Sequence, residues 1–262
     1  MGGAKRLIAR VGSYRRRVDS TGQNDWFQNI PKALFVQFYR FLIKLKIKGK
    51  AYLLNHKALT PPLISADNPT RAGLIIAINH KTGVDPIAVQ AVVKRRIFFA
   101  TDGLWFKNWF GRLFYGKLCD GIPVYNGQGV ENLPGMRRCL ELLHKGFTIG
   151  FFPEGTLVRD KTIGEIRDGA AYLSIKSGAP IVPVCIHAPI MGPYPGDVVG
   201  SASIYEGIIS VFGNLFHKIT ISIGEPLFPE MVNNKVEPLE TIINKINQKL
   251  FDRFLKLANN KN

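Results

Sequence analysis

From Gly73 onward the chain alternates short apolar runs with longer amphipathic ones. Leu74–Ile78, Ile97–Ala100, Ile122–Tyr125, Phe147–Phe152 and Ile181–Ile186 are too short for helices and almost continuously apolar, the pattern of strands buried on both faces. Pro86–Lys94, Leu104–Leu118, Val130–Lys145 and Glu165–Ser177 carry apolar residues at helical spacing between them. The stretch Val198–Phe216 is apolar but broken by Glu206 and Gly207, and reads as strand and loop. Ile219–Ile223 reads as a last strand and Leu239–Leu257 as a closing helix. Strand–helix alternation of this kind predicts an α/β fold, with a mostly parallel central sheet flanked by helices.

The segment before this domain has a different texture. In Trp26–Ile47, Gln37, Arg40, Lys44 and Lys48 recur at helical spacing, while Leu34, Phe35, Phe38, Phe41, Leu42 and Leu45 fill the rest of the wheel. A helix from Pro31 to Ile47 would be about 25 Å long, slightly short of a bilayer core, with Arg40 near its middle where charge is costly. Aromatic and aliphatic residues beside a basic row predict an N-terminal amphipathic interfacial helix lying in a membrane surface; a core helix with one wet face is the other reading. The organisation expected is a basic flexible arm over residues 1–25, a membrane-interface helix over 26–50, and one α/β domain over 51–262.

Charge sharpens the choice of partner. Lys plus Arg total 35 and Asp plus Glu 19 in 262 residues, a formal net charge of +16. That excess points to a polyanion: nucleic acid, anionic lipid headgroups or a phosphorylated substrate. Hydrophobic residues at 46% supply a real core. The arm holds Lys5, Arg6, Arg10, Arg15, Arg16 and Arg17 without the apolar core of a secretory signal, which leaves an organellar transit peptide open. Arg6 stands where a myristoylation site wants Ser or Thr. Cys119, Cys139 and Cys185 are odd in number and form no CxxC pair, which suits core thiols in a reducing compartment.

The chemistry concentrates in two short blocks. Asn79-His80-Lys81-Thr82-Gly83-Val84-Asp85-Pro86 follows one expected strand and precedes a helix, the place where parallel sheets bind ligands. Asp85 lies five residues past His80 across a turn, a spacing that returns a carboxylate to one imidazole nitrogen and raises the basicity of the other. Asp before Pro is also a good helix start, and a carboxylate can do both. Asn55-His56-Lys57 repeats the tripeptide without a following acid or strand–helix setting, so the tripeptide alone carries little. The second block, Phe152-Pro153-Glu154-Gly155-Thr156, also ends a strand; its turn could hold a hydroxyl or an anionic oxygen. Gly111–Lys117 imitates a phosphate-binding loop, but Leu118 replaces the required Ser or Thr. No G-x-S-x-G elbow is present, and no histidines stand at metal-ligand spacing.

Taken in order, H-x-x-x-x-D at His80 and Asp85, Gly121-Ile122-Pro123-Val124, F-P-E-G-T at Phe152–Thr156, Ile181-Val182-Pro183-Val184 and Gly224-Glu225-Pro226-Leu227 resemble the glycerolphosphate and lysophosphatidic acid acyltransferase family over roughly Gly73 to Leu227. The resemblance implies transfer of a fatty acyl group from acyl-CoA or acyl-carrier protein to the hydroxyl of lysophosphatidic acid, giving phosphatidic acid in phospholipid synthesis. It implies His80 as general base and Asp85 as its orienting acid. Acceptor binding would fall to Phe152, Pro153, Glu154, Gly155 and Thr156, together with Ile122 and Pro123. No metal and no cofactor beyond the acyl-carrying co-substrate are implied. Asn126, Thr101 and Leu157 stand where the family usually has Arg, Lys and Arg, with Arg159 two residues beyond the last. Loss of an Arg fork for phosphate keeps another lysolipid or lipid alcohol as an alternative acceptor, and acyl exchange between lipids as an alternative reaction. A basic nucleic-acid-binding module is the other alternative; no RNA- or DNA-binding signature accompanies the charge, so nucleic acid is not an expected partner. A peripheral place on an anionic membrane, at its cytoplasmic face, is expected.

Overall fold

The computed structural model describes residues 34, 37, 38, 41, 43–49, 73–83, 85–93, 96–107, 109, 112–125, 133–158, 163–189, 209, 212–215, 217–229 and 237–259. The basic arm, His56, Asn126 and Arg159 lie outside them. Among these residues seven strands form one sheet: β1 (Lys44–Lys48), β2 (Leu74–Ile78), β3 (Ile97–Asp102), β4 (Gly121–Val124), β5 (Thr148–Phe151), β6 (Ile181–His187) and β7 (Lys218–Ile223). Their order is β1-β7-β6-β2-β5-β3-β4. Every pairing is parallel except β6 with β7. The expected α/β fold with a mostly parallel sheet is therefore found.

β2 is the central strand, and all five of its residues are buried. Side chains alternate across a strand, and here the alternation divides the core. Ile75 and Ala77 join a cluster with Leu142, Leu173, Leu250 and Phe254 on one face. Leu74, Ile76 and Ile78 join Ile87, Val89 and Val92 on the other. The second face is covered by α1 (Asp85–Val92), and the first by α2 (Leu133–His144), α3 (Gly169–Ser177) and α4 (Leu239–Asn259). The three cysteines are buried, none bridged by a disulfide; burial pushes the Cys139 thiol up to about 12, as befits an inert core side chain.

Three sequence expectations change. The helix expected to run through Ile47 does not: Leu34, Gln37, Phe38 and Phe41 are helical, but Lys44–Lys48 is a strand paired in parallel with β7. Lys44, Lys46 and Lys48 alternate with Leu45 and Ile47, and those two apolar side chains pack on the core. Period two, with one face buried, prevails over the helical wheel. The α/β sheet thus recruits residues before position 51. Leu104–Leu118 is not one helix but a 3-10 turn, Gly103–Phe106, and a π-helix, Arg112–Leu118; the Asp102 carboxylate caps the first by accepting the Leu104 N–H at 2.9 Å. Within Val198–Phe216, Ile209, Phe212 and Gly213 are helical rather than strand or loop, and residues 198–208 lie outside the described set.

Candidate active site

Parallel strands bring the chain segments that follow β2, β3, β5 and β6 to one edge of the sheet. Asn79, the first residue beyond β2, is buried and fastens that edge. Its Nδ2 donates to the Ile186 carbonyl at 3.2 Å and its Oδ1 accepts the Ile186 N–H at 2.7 Å. His80 follows at the strand end, its side chain 23% exposed, with Nδ1 3.1 Å from Asp85 Oδ2.

Asp85 is the first residue of α1, yet its carboxylate turns back into the loop. Oδ2 accepts the N–H groups of Lys81 and Thr82 at 2.8 and 2.9 Å. Oδ1 accepts the Thr82 hydroxyl at 2.8 Å. The side chain has no exposure to solvent, so these charge-assisted bonds replace its hydration. The turn around Gly83 is therefore organised about one acid, and that acid faces the imidazole.

The segment after β5 closes on the same loop. The Phe152 ring lies 4.3 Å from the imidazole, tilted by 33°. Glu154 Oε2 accepts the His80 N–H at 2.6 Å, and Oε1 accepts the Gly164 N–H at 2.7 Å. The His80 carbonyl in turn accepts the Val158 N–H at 2.9 Å. Both backbone polar groups of His80 are thus held by the second segment. Lys81 Nζ donates to the Val158 carbonyl at 2.6 Å. Gly155 adopts φ 68°, in the left-handed region that glycine enters without steric cost, and this lets the Glu154 turn reverse.

The acyltransferase family model matches residues 62–187, a stretch that includes both blocks. A chloroplastic 1-acyl-sn-glycerol-3-phosphate acyltransferase of Arabidopsis thaliana is 26% identical over 153 residues, which is 57% of this chain and 41% of that protein. A probable 1-acyl-sn-glycerol-3-phosphate acyltransferase of Mycoplasma pneumoniae is 25% identical over 163 residues, 60% of this chain and 57% of that protein. The chain thus spans less than two thirds of the length of these curated relatives. The crystal structure of the 1-acyl-sn-glycerophosphate acyltransferase PlsC from Thermotoga maritima has the same fold, with a TM-score of 0.53 and 16% identity, over 95% of this chain and 87% of that one. Residues 62–187 of this chain match the acyltransferase family.

Within the matched stretch the structure brings His80, Asp85, Phe152 and Glu154 together and leaves others apart. Pro153 is buried, its carbonyl accepting the Arg167 N–H at 2.9 Å, and Thr156 is exposed. Ile122 and Pro123 lie on the outer strand β4, three strand positions from β2, which is roughly 14 Å at the usual strand spacing. Ile122 is buried in the core cluster beneath α2. Thr101 donates its hydroxyl to the Phe99 carbonyl at 3.1 Å.

Burial raises the Glu154 pKa above the ordinary carboxylate value, against the opposing pull of the Gly164 and His80 N–H groups, of the positive Lys81 side chain and of the imidazole in its protonated form. Val158 and Gly164 hold the site from outside both blocks, and Asn79 and Thr82, inside the first block, make bonds that the block does not announce. Thr82 alone had a local signal, since it stands three residues before the acid that opens a helix, a common site of side-chain and backbone bonding. The Asn79 and Val158 contacts join residues far apart in sequence, and Gly164 meets Glu154 from ten positions on.

Proposed function

We propose that the chain transfers a fatty acyl group from a thioester, acyl-CoA or acyl-carrier protein, to the hydroxyl of lysophosphatidic acid at a membrane surface, yielding phosphatidic acid. The observation that carries this reading is the pair His80 Nδ1 and Asp85 Oδ2 at 3.1 Å, with the imidazole part-exposed at the sheet edge. A buried carboxylate accepts the Nδ1 proton and leaves Nε2 as the basic nitrogen. Nε2 takes the acceptor hydroxyl proton as the oxygen attacks the thioester carbon. The C–S bond then breaks, and the imidazolium returns the proton to the departing thiolate. A positioned base contributes roughly 10²–10⁴-fold, and a thioester is already activated, so no acyl-enzyme is needed.

Lysophosphatidic acid as acceptor is supported by the names of the relatives above, and the block Phe152–Thr156 is its proposed binding segment. Glu154 has both carboxylate oxygens committed to backbone N–H groups, so its part in acceptor binding is to shape the turn. The test is lipid mass spectrometry after purified chain meets mixed lysolipids with acyl-CoA and, separately, acyl-carrier protein. New phosphatidic acid, absent with His80→Ala, is the expected result. Preferential acylation of another lysolipid would replace the acceptor, acyl exchange without any thioester would replace the donor, and no acylated lipid at all would overturn the reaction.

A further inference from the structure

The register of the strands decides which chain segments surround His80. β6 continues three residues beyond Val184, the partner of Ile78, to His187, which pairs with Thr220 near the start of β7. Lys44, the start of β1, pairs with Lys218, the start of β7. β1 and β7 therefore begin at the edge where β2, β3, β4 and β5 end. The helical residues before β1 and those before β7 enter the sheet from that edge, and the long connection after β3 leaves it there. Two of these segments lie on one flank of His80 and the third on the other.

These segments share an unusual surface. Ten large apolar side chains are exposed among the described residues, and nine belong to segments that enter or leave the sheet at this edge; Leu239 is the exception. Phe41 is 85% exposed, Trp109 71% and Phe212 66%. Leu34, Phe38 and Phe41 recur at helical spacing before β1, and Leu113 follows Trp109. Water-facing apolar residues scattered singly need no explanation, but their concentration at one edge does. Beyond Asp102, whose carboxylate caps the turn at Gly103–Phe106, charge in these three segments is equally one-sided. Residues 34–48, 103–118 and 209–218 contain no Asp or Glu, while Arg40, Lys44, Lys46, Lys48, Lys107, Arg112, Lys117 and Lys218 all fall within them. Lys44, Lys107, Arg112 and Lys218 are exposed.

Resting on the acyl-transfer reading, we infer that the whole edge around His80, and not the N-terminal segment alone, is a docking face for an anionic bilayer. Phe38, Phe41 and Phe212 enter the lipid on one flank of the imidazole, and Trp109 and Leu113 on the other. Trp and Phe sit well at the headgroup boundary, and lysines and arginines beside them gain from the negative surface potential. A chain so seated presents the imidazole to the lipid, and a two-tailed product returns to the bilayer without crossing water. Among the described residues no helix is long and apolar enough to cross a membrane, so the seat described is a surface one.

The experiment uses the full chain with Trp26→Phe and Trp105→Phe, which leaves Trp109 as the one indole. Vesicles of phosphatidylcholine, with and without about a third phosphatidylglycerol, carry brominated acyl chains. Trp109 emission is expected to shift to the blue and be quenched on the anionic vesicles. In the otherwise native chain, Trp109→Ser with Phe212→Ser is expected to weaken vesicle binding roughly 100-fold, about tenfold for each large side chain withdrawn from lipid. That variant should keep its turnover on a short-chain, water-soluble lysolipid. An unquenched Trp109 on chain that floats with the vesicles would overturn the inference, leaving the N-terminal segment as the seat. Equal binding to neutral vesicles, or loss of turnover on the soluble acceptor in a variant that still melts cooperatively, would overturn it too. If the unaltered chain acylates nothing, the reaction fails, yet quenching still reports the docking.

Discussion

Glu154 Oε2 accepts the backbone N–H of His80 at 2.6 Å, across 74 residues of sequence. The other oxygen holds Gly164, so one buried carboxylate joins the two loops that meet at the imidazole. Glu154→Gln keeps the shape but supplies one carbonyl oxygen for two N–H donors, leaving one buried donor facing an amide NH₂. A buried unsatisfied group costs about 1–3 kcal/mol. Because burial raises the Glu154 pKa from its ordinary 4.5, the folded chain holds this proton more tightly than the unfolded one. Stability from this group is full below the ordinary value and is lost as pH rises through the raised one. In urea unfolding, the native-minus-variant difference should therefore fall as pH climbs upward from about 4.5 and level off beyond the raised pKa. A difference that grows with pH across that window would contradict the role of burial.

The acid beside His80 offers a sharper separation of chemistry from scaffolding. His80→Ala should remove turnover by at least the roughly 10²–10⁴-fold worth of a positioned base while leaving the melting curve close to native, since no backbone bond is touched. Asp85→Asn turns an NH₂ toward donors at Lys81 and Thr82 and should cost both activity, on the order of 10⁴-fold as for other wrongly held tautomers, and about 1–3 kcal/mol of stability. Thr82→Val removes the Oγ1 bond at 2.8 Å and should cost about 1 kcal/mol with little change in kcat. Turnover assays paired with thermal unfolding check all three; a fully active His80→Ala chain would remove the general base.

Asn79 calls for a third measurement. Its amide satisfies both the N–H and the carbonyl of Ile186, and both residues are buried. Asn79→Ala should destabilise by about 2–5 kcal/mol, two buried groups being orphaned together, and hydrogen exchange at Ile186 should accelerate more than at β3 or β4. Uniform acceleration across the sheet would mean that the clamp is not local.

What could be read without coordinates follows from how local each signal is. β2 and β5 are buried on both faces, so continuous apolar runs between helical patterns announce them. The loop from His80 to Asp85 is local as well, because five residues suffice for the acid to return. Lys44–Lys48 reads ambiguously for a physical reason: Lys44 and Lys48, four apart, continue the helical polar row of Gln37 and Arg40, while Lys44, Lys46 and Lys48 also alternate at period two, and only pairing with β7 decides. The Glu154 bridge left no local trace. A Glu in a Pro-Glu-Gly turn looks like any turn acid until β5 is laid beside β2. The two blocks were visible, but their mutual grip through Val158, Gly164 and Lys81 is tertiary.

Ile122 and Pro123 pose the remaining question about the extent of the site, and Gly135 provides the means of asking it. A Cβ at Gly135 would stand 2.1 Å from the Pro123 carbonyl oxygen and 3.0 Å from a methyl of Val124. Backbone oxygen cannot give way as a side-chain tip can, so Gly135→Ala must lift α2 from β4. Overpacking of this kind typically costs about 1–3 kcal/mol. Since β4 is the outer strand and reaches the imidazole only through β3 and β5, the displacement should leave the His80–Asp85 pair in place. If Ile122 and Pro123 help hold a substrate chain, KM for a long acyl donor should rise several-fold with kcat nearly unchanged, and the effect should shrink with a short donor. If they serve only as packing beneath α2, the melting temperature should fall while KM stays constant for both donors. A fall in kcat alone would show instead that strain at the outer strand is transmitted to the imidazole.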